Sequence, residues 1–222
     1  MKKHDLWLWI LTGLCAVGIA VTGIVFSQSV FRMLPLFVSL VIGLLQARAS
    51  RFAPLLGSFN SILYGIIYIG FGLYANAANA FFVSFPMQLV TFLRWKKNTY
   101  KNSTRFRSLK PRQWALLIGV FLLCFLLVNF ALSAAGSSYR LLDNSSTLLG
   151  LAIGFLTMFS FREYSWLMLP NGLLTIGLYT AMMLDDLAQV TYLIYAVQSF
   201  ICIVKQFFCV RQLYREQKEE AL

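Results

Sequence analysis

The stretch Leu167–Tyr179, LMLPNGLLTIGLY, carries a Pro-Asn-Gly triplet inside a long apolar run. In a soluble protein, these three residues would mark a turn. Here a turn would leave backbone groups without hydrogen bonds in apolar surroundings. The stretch therefore predicts a membrane helix that is kinked at Pro170, with Asn171 directly beside the kink.

The rest of the chain has the same apolar character. Of its 222 residues, 59% are hydrophobic and 12% are charged, whereas soluble domains have about 45–50% apolar and about 25% charged residues. The apolar runs are continuous and do not alternate with polar residues, which favours helices over a barrel. Eight runs can cross, or nearly cross, a hydrocarbon core of about 30 Å. They are Leu6–Ser27, Val30–Ala47, Phe52–Ala75, Ala77–Trp95, Trp114–Ala135, Thr147–Phe161, Tyr164–Leu184 and Leu187–Val210. We expect an all-α polytopic membrane protein with about eight transmembrane helices.

The net charge of +11 is explained by topology, and we expect no nucleic-acid partner. With eight helices, every Lys and Arg except Arg32 and Arg140 falls on one side of the membrane. This asymmetry is the positive-inside rule, and it predicts that both termini are cytoplasmic. The most basic loop, between the fourth and fifth helices, can also rest on anionic membrane lipids.

An internal repeat divides the single transmembrane domain, residues 1–222. Residues 40–73 align with residues 151–184 at an offset of 111. The identities in scarcer residue types are Gly43 with Gly154, Arg51 with Arg162, Asn60 with Asn171 and Tyr68 with Tyr179. The predicted segments are an extra helix (6–27), a three-helix unit (30–95), a linking helix (114–135) and a second three-helix unit (147–210). One crossing between two three-helix units gives them the same orientation, a 3+1+3 parallel repeat.

The repeat places polar side chains at matching positions. Asn60 and Tyr68 lie on one helix face, and Asn171 and Tyr179 lie on the equivalent face. Two glutamines also occur at nearly repeat-related places, Gln88 and Gln198. One interpretation is that these groups line a central cavity, as expected for costly polar groups in hydrocarbon. The alternative is that they form hydrogen bonds between packed helices.

The chain lacks the usual signatures of an enzyme. It has no phosphate-binding loop or zinc-protease motif, and its one histidine, His4, lies in the N-terminal tail. The four cysteines do not have metal-site spacing. The acidic residues fall at helix ends, loops and tails, with Glu163 beside Arg162 as an expected interfacial ion pair. We expect no enzymatic activity, no cofactor and no metal, and movement of a solute without coupling to protons.

Two segments resemble the PnuC family of bacterial vitamin transporters, which is related in fold to the SWEET sugar transporters. REYSWLMLPNGLLTIGLY (162–179) resembles the family's seventh-helix stretch, in which tryptophans precede an asparagine. FVSFPMQLVTFLRWKK (82–97) resembles its fourth helix, which bears a glutamine and ends in an aromatic-basic run. The resemblance implies a multi-pass protein of the bacterial inner membrane that takes up nicotinamide riboside by facilitated diffusion, followed by trapping by a cytosolic kinase. A homo-oligomer is possible.

The resemblance also implies a binding site. Trp166 would stack on an aromatic ring, and the amides of Asn60, Gln88, Asn171 and Gln198 would bind ribose or amide groups. Tyr68 and Tyr179 would stack or shape the cavity. This chain departs from the family pattern, because Tyr164 and Leu167 occupy the positions of the two tryptophans. Thiamine or a deoxynucleoside therefore stays open as the substrate, and a membrane scaffold without a cavity is the other alternative.

Overall fold

The structure is a computed structural model that describes residues 6–70, 80–134 and 140–220. The described residues form eight α-helices, a π-helical turn (Ala80–Ser84), a 3-10 turn (Leu187–Gln189) and a two-stranded hairpin. The helices are α1 (Leu6–Val25), α2 (Val30–Ala47), α3 (Phe52–Gly70), α4 (Phe85–Lys97), α5 (Pro111–Ala134), α6 (Arg140–Met158), α7 (Tyr164–Asp185) and α8 (Val190–Glu219). The antiparallel hairpin pairs β1 (Thr99–Tyr100) with β2 (Ser103–Thr104).

The predicted helical class is confirmed, and two helices extend well beyond their predicted bounds. The sixth helix begins at Arg140 rather than at Thr147, and the eighth continues from Val210 to Glu219. Four helical segments have the length and apolar composition to cross a membrane: Leu6–Val25, Val30–Ala47, Tyr164–Asp185 and Leu187–Glu219. Three shorter apolar helical segments are Phe52–Ile66, Pro111–Leu127 and Asn144–Met158.

The Pro-Asn-Gly triplet lies inside α7 and does not form a turn. Pro170 is exposed on the helix surface, and the helix continues to Asp185. Gly172 faces α8, where an added Cβ would come within 2.7 Å of the ring of Phe200. The triplet thus removes one helix hydrogen bond at the surface and allows close packing of α8 on the opposite side.

Helix contacts follow the two units that the repeat predicts. In the first unit α2 packs on α3 and α3 on α4; in the second, α6 packs on α7 and α7 on α8. Between the units, α2 packs on α8 and α4 on α6. Each cross-contact joins the first helix of one unit to the last helix of the other. Helix α1 packs on α2 and α8, and α5 packs on α6.

The corners after α2 and α6 have the same backbone geometry 111 residues apart. Ala49 and Ser160 both adopt positive φ, 47° and 59°. The amide of Ser50 donates to the carbonyl of Leu45, as the amide of Phe161 donates to that of Leu156, both at 2.9 Å. The following amides, of Arg51 and Arg162, both donate to carbonyls of the segment that contains the hairpin, at 3.0 and 2.9 Å. A left-handed residue with a 6→1 hydrogen bond is a Schellman helix end.

The corners, the hairpin and the end of α8 meet at one end of the bundle, here called the basic end. Helix α1 begins there too, because Leu8 packs with Ala47 and Cys202 and Arg48 lies over the ring of Trp9 at 5.9 Å. The first and last described residues of the chain therefore lie at the same end. At the opposite end, the side-chain amide of Gln28 donates to the carbonyl of Ala188 at 2.8 Å.

Candidate functional site

A cavity of about 440 Å³ lies between the two units. Residues of α2, α3 and α4 line one side of it, and residues of α6, α7 and α8 line the other. Its volume falls within the range of about 300–1,000 Å³ that is usual for small-molecule sites. None of the described residues in its wall is charged, so the cavity suits a solute of low charge.

Gln88 presents an amide to this cavity from α4. Its Nε2 donates to Ser61 Oγ at 3.0 Å, and its oxygen accepts no hydrogen bond from a described residue. A Cβ at Gly57 would overlap this oxygen, so the glycine leaves room for the amide. The amide is held by one bond and keeps an acceptor available to a ligand.

A second amide reaches the cavity from α8. Gln206 Nε2 donates to the hydroxyl of Tyr164 at 2.9 Å, and both side chains line the wall. Gln206 is 4% exposed, and its Oε1 has no hydrogen-bond partner. Buried acceptors without a partner are rare in folded proteins. The cavity thus offers acceptor oxygens from both units.

An aromatic cluster borders the cavity at the basic end. The rings of Trp95 and Phe106 meet edge to face at 5.8 Å, and Tyr164 lies 6.2 and 6.1 Å from them. Trp95 Nε1 donates to the carbonyl of Thr157 at 2.9 Å, which ties α4 to α6. Trp95 and Tyr164 belong both to this cluster and to the cavity wall.

The hairpin segment covers the aromatic cluster and is bound to the end of α8. Gln217 accepts from the amide of Phe106 at 2.9 Å and donates to the carbonyl of Thr104 at 3.0 Å. Lys101 forms an ion pair with Glu216 at 2.6 Å, and this hydrogen bond raises the pKa of Lys101. Backbone hydrogen bonds also join this segment to the corners after α2 and α6. The two units are therefore connected at the basic end through one segment.

Glu163 lies buried at the basic end of α7 and does not line the cavity. Its Oε1 accepts from Ser108 Oγ at 2.7 Å and from Arg162 Nε at 3.3 Å. The predicted pair with Arg162 is present. The carboxylate fixes the segment after the hairpin to the start of α7.

Of the seven residues predicted to bind substrate, Gln88 lines this cavity. Asn60 is buried and donates to Ser39 on α2 at 2.8 Å, and Gln198 is buried and donates to Thr12 on α1 at 3.1 Å. Both amides thus form hydrogen bonds between packed helices, as Gln88 does through Ser61, and the oxygens of both have no hydrogen-bond partner. The side chain of Tyr68 lies outside the described residues.

The other predicted residues of α7 are also outside the cavity wall. Trp166 is 53% exposed and meets Phe207 edge to face at 6.0 Å. Tyr179 stacks on Tyr192 at 5.6 Å. Asn171 is partly buried, and its Oδ1 has no hydrogen-bond partner. Trp166 lies outside the cavity because it is two residues from Tyr164, which lines the wall. Two residues correspond to roughly 200° around a regular helix, so Trp166 points to the opposite side.

The sequence analysis does not identify the other two amides and the two aromatic residues of the wall, which are Gln46, Gln206, Trp95 and Tyr164. One signal is present in the sequence, because Gln46 and Gln206 are amides in apolar helices, as are the predicted Gln88 and Gln198. The repeat offset also relates Trp95 to Gln206, although the residue types differ.

Two groups of three helices border an amide-bearing cavity, and none of its described wall residues is charged. A solute site between two helical units is typical of a multi-pass membrane transporter. A family model described as nicotinamide mononucleotide transporter matches residues 29–207. The chain belongs to this family, and the predicted resemblance is confirmed.

A solved structure supports the fold assignment. The chain is similar to the crystal structure of the vitamin B3 transporter PnuC, with a TM-score of 0.77 and 19% identity over 97% of this chain and 94% of that one. No curated protein matches the sequence.

Proposed function

We propose that this protein mediates facilitated uptake of nicotinamide riboside, with the cavity between the two units as its binding site. Family membership supports the solute class. The observation that carries the proposal is the cavity itself, uncharged in its described wall and supplied with amides from both units. A scaffold would instead fill the space between the units with packed side chains.

The cavity chemistry fits a nicotinamide nucleoside. Such a solute carries hydroxyl and carboxamide donors, which suit the free oxygens of Gln88 and Gln206. Its pyridinium ring can lie against Trp95 or Tyr164 and gain cation–π attraction from their faces. In this proposal Tyr164 has the ring-binding role that the resemblance gave to Trp166.

Transport would proceed by alternating access. The contacts within and between the units, and the two equivalent corners, support a pseudo-twofold 3+1+3 arrangement. In this proposal each of the eight helices crosses the membrane. By the positive-inside rule, the basic end and both termini would lie on the cytoplasmic side of a bacterial inner membrane. The cluster of Trp95, Phe106 and Tyr164 would then be the cytoplasmic closure, which must separate to release solute.

Transport would be downhill. No described wall residue is charged, and proton-coupled transporters usually have an ionisable group in the membrane. Net uptake would then depend on a cytosolic kinase that traps the solute. Both the kinase and a homo-oligomeric state stay predictions.

Calorimetric titration of the purified protein in detergent tests the solute assignment. Nicotinamide riboside, thiamine, riboflavin and a deoxynucleoside are titrated separately at one salt concentration. We expect saturable binding of nicotinamide riboside and at least tenfold weaker binding of the others. Preferential binding of thiamine or the deoxynucleoside would make that compound the assigned solute in place of nicotinamide riboside. Binding of none of the four would contradict the proposal.

A further inference from the structure

A second, basic pocket lies at the outer surface of the second unit. It has a volume of about 290 Å³ and lies between the start of α7 and the last third of α8. Its wall contains three arginines and two aromatic residues: Arg162, Arg211, Arg215, Trp166 and Phe207. It shares no wall residue with the transport cavity.

Two of the three arginines in this pocket have no counter-charge among the described residues. Arg211 and Arg215 are four residues apart on α8, so they lie on one helix face. Both are exposed, and neither has a hydrogen bond or an ion pair with a described residue. Arg162 pairs with Glu163 and lies 4.1 Å from the ring centre of Tyr214. Two guanidinium groups are therefore available to an anion.

The side of the pocket nearest the membrane interior is apolar. Trp166, Pro170, Leu173 and Gly177 are exposed at helical spacing, so one face of α7 is not covered by described residues. Phe208 is 60% exposed beside Phe207. Tryptophans at such a boundary typically lie at the level of lipid headgroups. The pocket therefore sits where the apolar surface ends and the basic end begins.

We propose that this pocket binds the phosphodiester headgroup of an anionic phospholipid, with the acyl chains along the exposed face of α7. Guanidinium groups can bind phosphate oxygens in a bidentate manner. Trp166 supplies the wall between headgroup and chains, which gives this exposed residue a role outside the solute site. The proposal does not depend on which solute is transported.

Lipid-dependent thermal stabilisation of the purified protein tests the site. Dioleoylphosphatidylglycerol, dioleoylphosphatidylcholine and inorganic phosphate are titrated separately into detergent-solubilised protein. We expect phosphatidylglycerol to raise the melting temperature saturably and the other two to have little effect. The midpoint is the phosphatidylglycerol concentration that gives half of the full rise in melting temperature. An attraction of about 1 kcal/mol per arginine corresponds to a change of roughly fivefold in this midpoint.

The decisive variant is Arg211→Gln with Arg215→Gln. We expect its phosphatidylglycerol midpoint to rise roughly 25-fold, as two independent fivefold effects. The matched control is Arg105→Gln with Arg112→Gln, which removes the same charge from exposed positions outside the pocket. Its midpoint should change less than threefold. Replacing Arg211 and Arg215 by lysine should give an intermediate value, because the charge remains without the bidentate geometry.

Each alternative result counts against the proposal. Equal midpoint shifts in the pocket and control variants would show a general surface-charge effect. Equal stabilisation by inorganic phosphate would assign the pocket to a free anion rather than to a lipid. Unchanged binding in the pocket variant, with its folding verified by circular dichroism, would exclude the site.

Discussion

Replacing Gln88 by leucine tests whether the solute binds in the cavity between the two units. Leucine places an apolar side chain of similar size beside Gly57 and removes the amide nitrogen and oxygen. The protein loses one hydrogen bond to Ser61, worth about 0.5–1.5 kcal/mol. The hydroxyl of Ser61 still donates to the carbonyl of Gly57 at 3.0 Å, so no hydroxyl donor is stranded and the fold should survive.

The loss for the bound solute should be larger than the loss for the fold. A solute donor that faces leucine instead of the Gln88 oxygen is buried without a partner, at a cost of about 1–3 kcal/mol. The dissociation constant for nicotinamide riboside should therefore rise about 5- to 150-fold, measured by calorimetric titration. Thermal unfolding of the same sample provides the control for folding.

The matched comparison is Asn171→Leu. This residue was predicted from the sequence, but its side chain lies outside the cavity wall. We expect its dissociation constant to stay within threefold of the unaltered protein. If Asn171→Leu abolished binding while Gln88→Leu left it unchanged, the cavity-based reasoning would be refuted.

Two further predictions concern the aromatic closure and the second amide. Trp95→Phe keeps a ring in the cluster but removes the hydrogen bond to Thr157, which should weaken closure by about 0.5–1.5 kcal/mol. The assay uses Ser50→Cys protein and a membrane-impermeant maleimide applied from the basic end. The maleimide should react with Cys at position 50 about 2- to 12-fold faster when Trp95→Phe is also present. An unchanged rate would argue against this closure. Tyr164→Phe strands the buried amide of Gln206 and should destabilise the protein by about 1–3 kcal/mol in thermal unfolding. The double variant Tyr164→Phe with Gln206→Met should regain most of that stability, because neither partner of the hydrogen bond is then present. A further loss of stability in the double variant would contradict this role of the hydrogen bond.

Much of the fold followed from the sequence because it depends on patterns along the chain. Continuous apolar runs identify helices, and the eight predicted runs correspond to the eight described helices. The corners at Ala49 and Ser160 are separated by the 111 residues of the repeat offset, although the two residue types differ. The end of α8 was missed because Arg215–Glu219 is too polar to appear membrane-embedded, whereas hydrogen bonds to the hairpin segment engage Glu216 and Gln217.

The site was harder to predict because the sequence of one helix does not show which of its faces is turned toward the cavity. Asn60 and Gln198 are polar groups in apolar helices, as Gln88 and Gln206 are. All four donate to a side chain on a neighbouring helix. Their positions distinguish them, because Gln88 and Gln206 line the cavity and the other two do not, and this depends on helix rotations that the sequence does not specify. The extra helix α1 in particular lies outside the repeat, so its contact with Gln198 had no counterpart from which to be inferred.

Filling the cavity is the most direct test of the central claim that it holds the transported solute. Gly150 lines the cavity, and an added Cβ there meets no atom within 4 Å. Gly150→Phe should therefore fold and place a ring in the solute's space. Gly119→Phe is the matched control, because Gly119 has equally open surroundings on α5 and does not line the cavity. Calorimetric titration with nicotinamide riboside should show saturable binding to the unaltered protein and to Gly119→Phe, and none to Gly150→Phe. Undiminished binding to a folded Gly150→Phe protein would contradict the account.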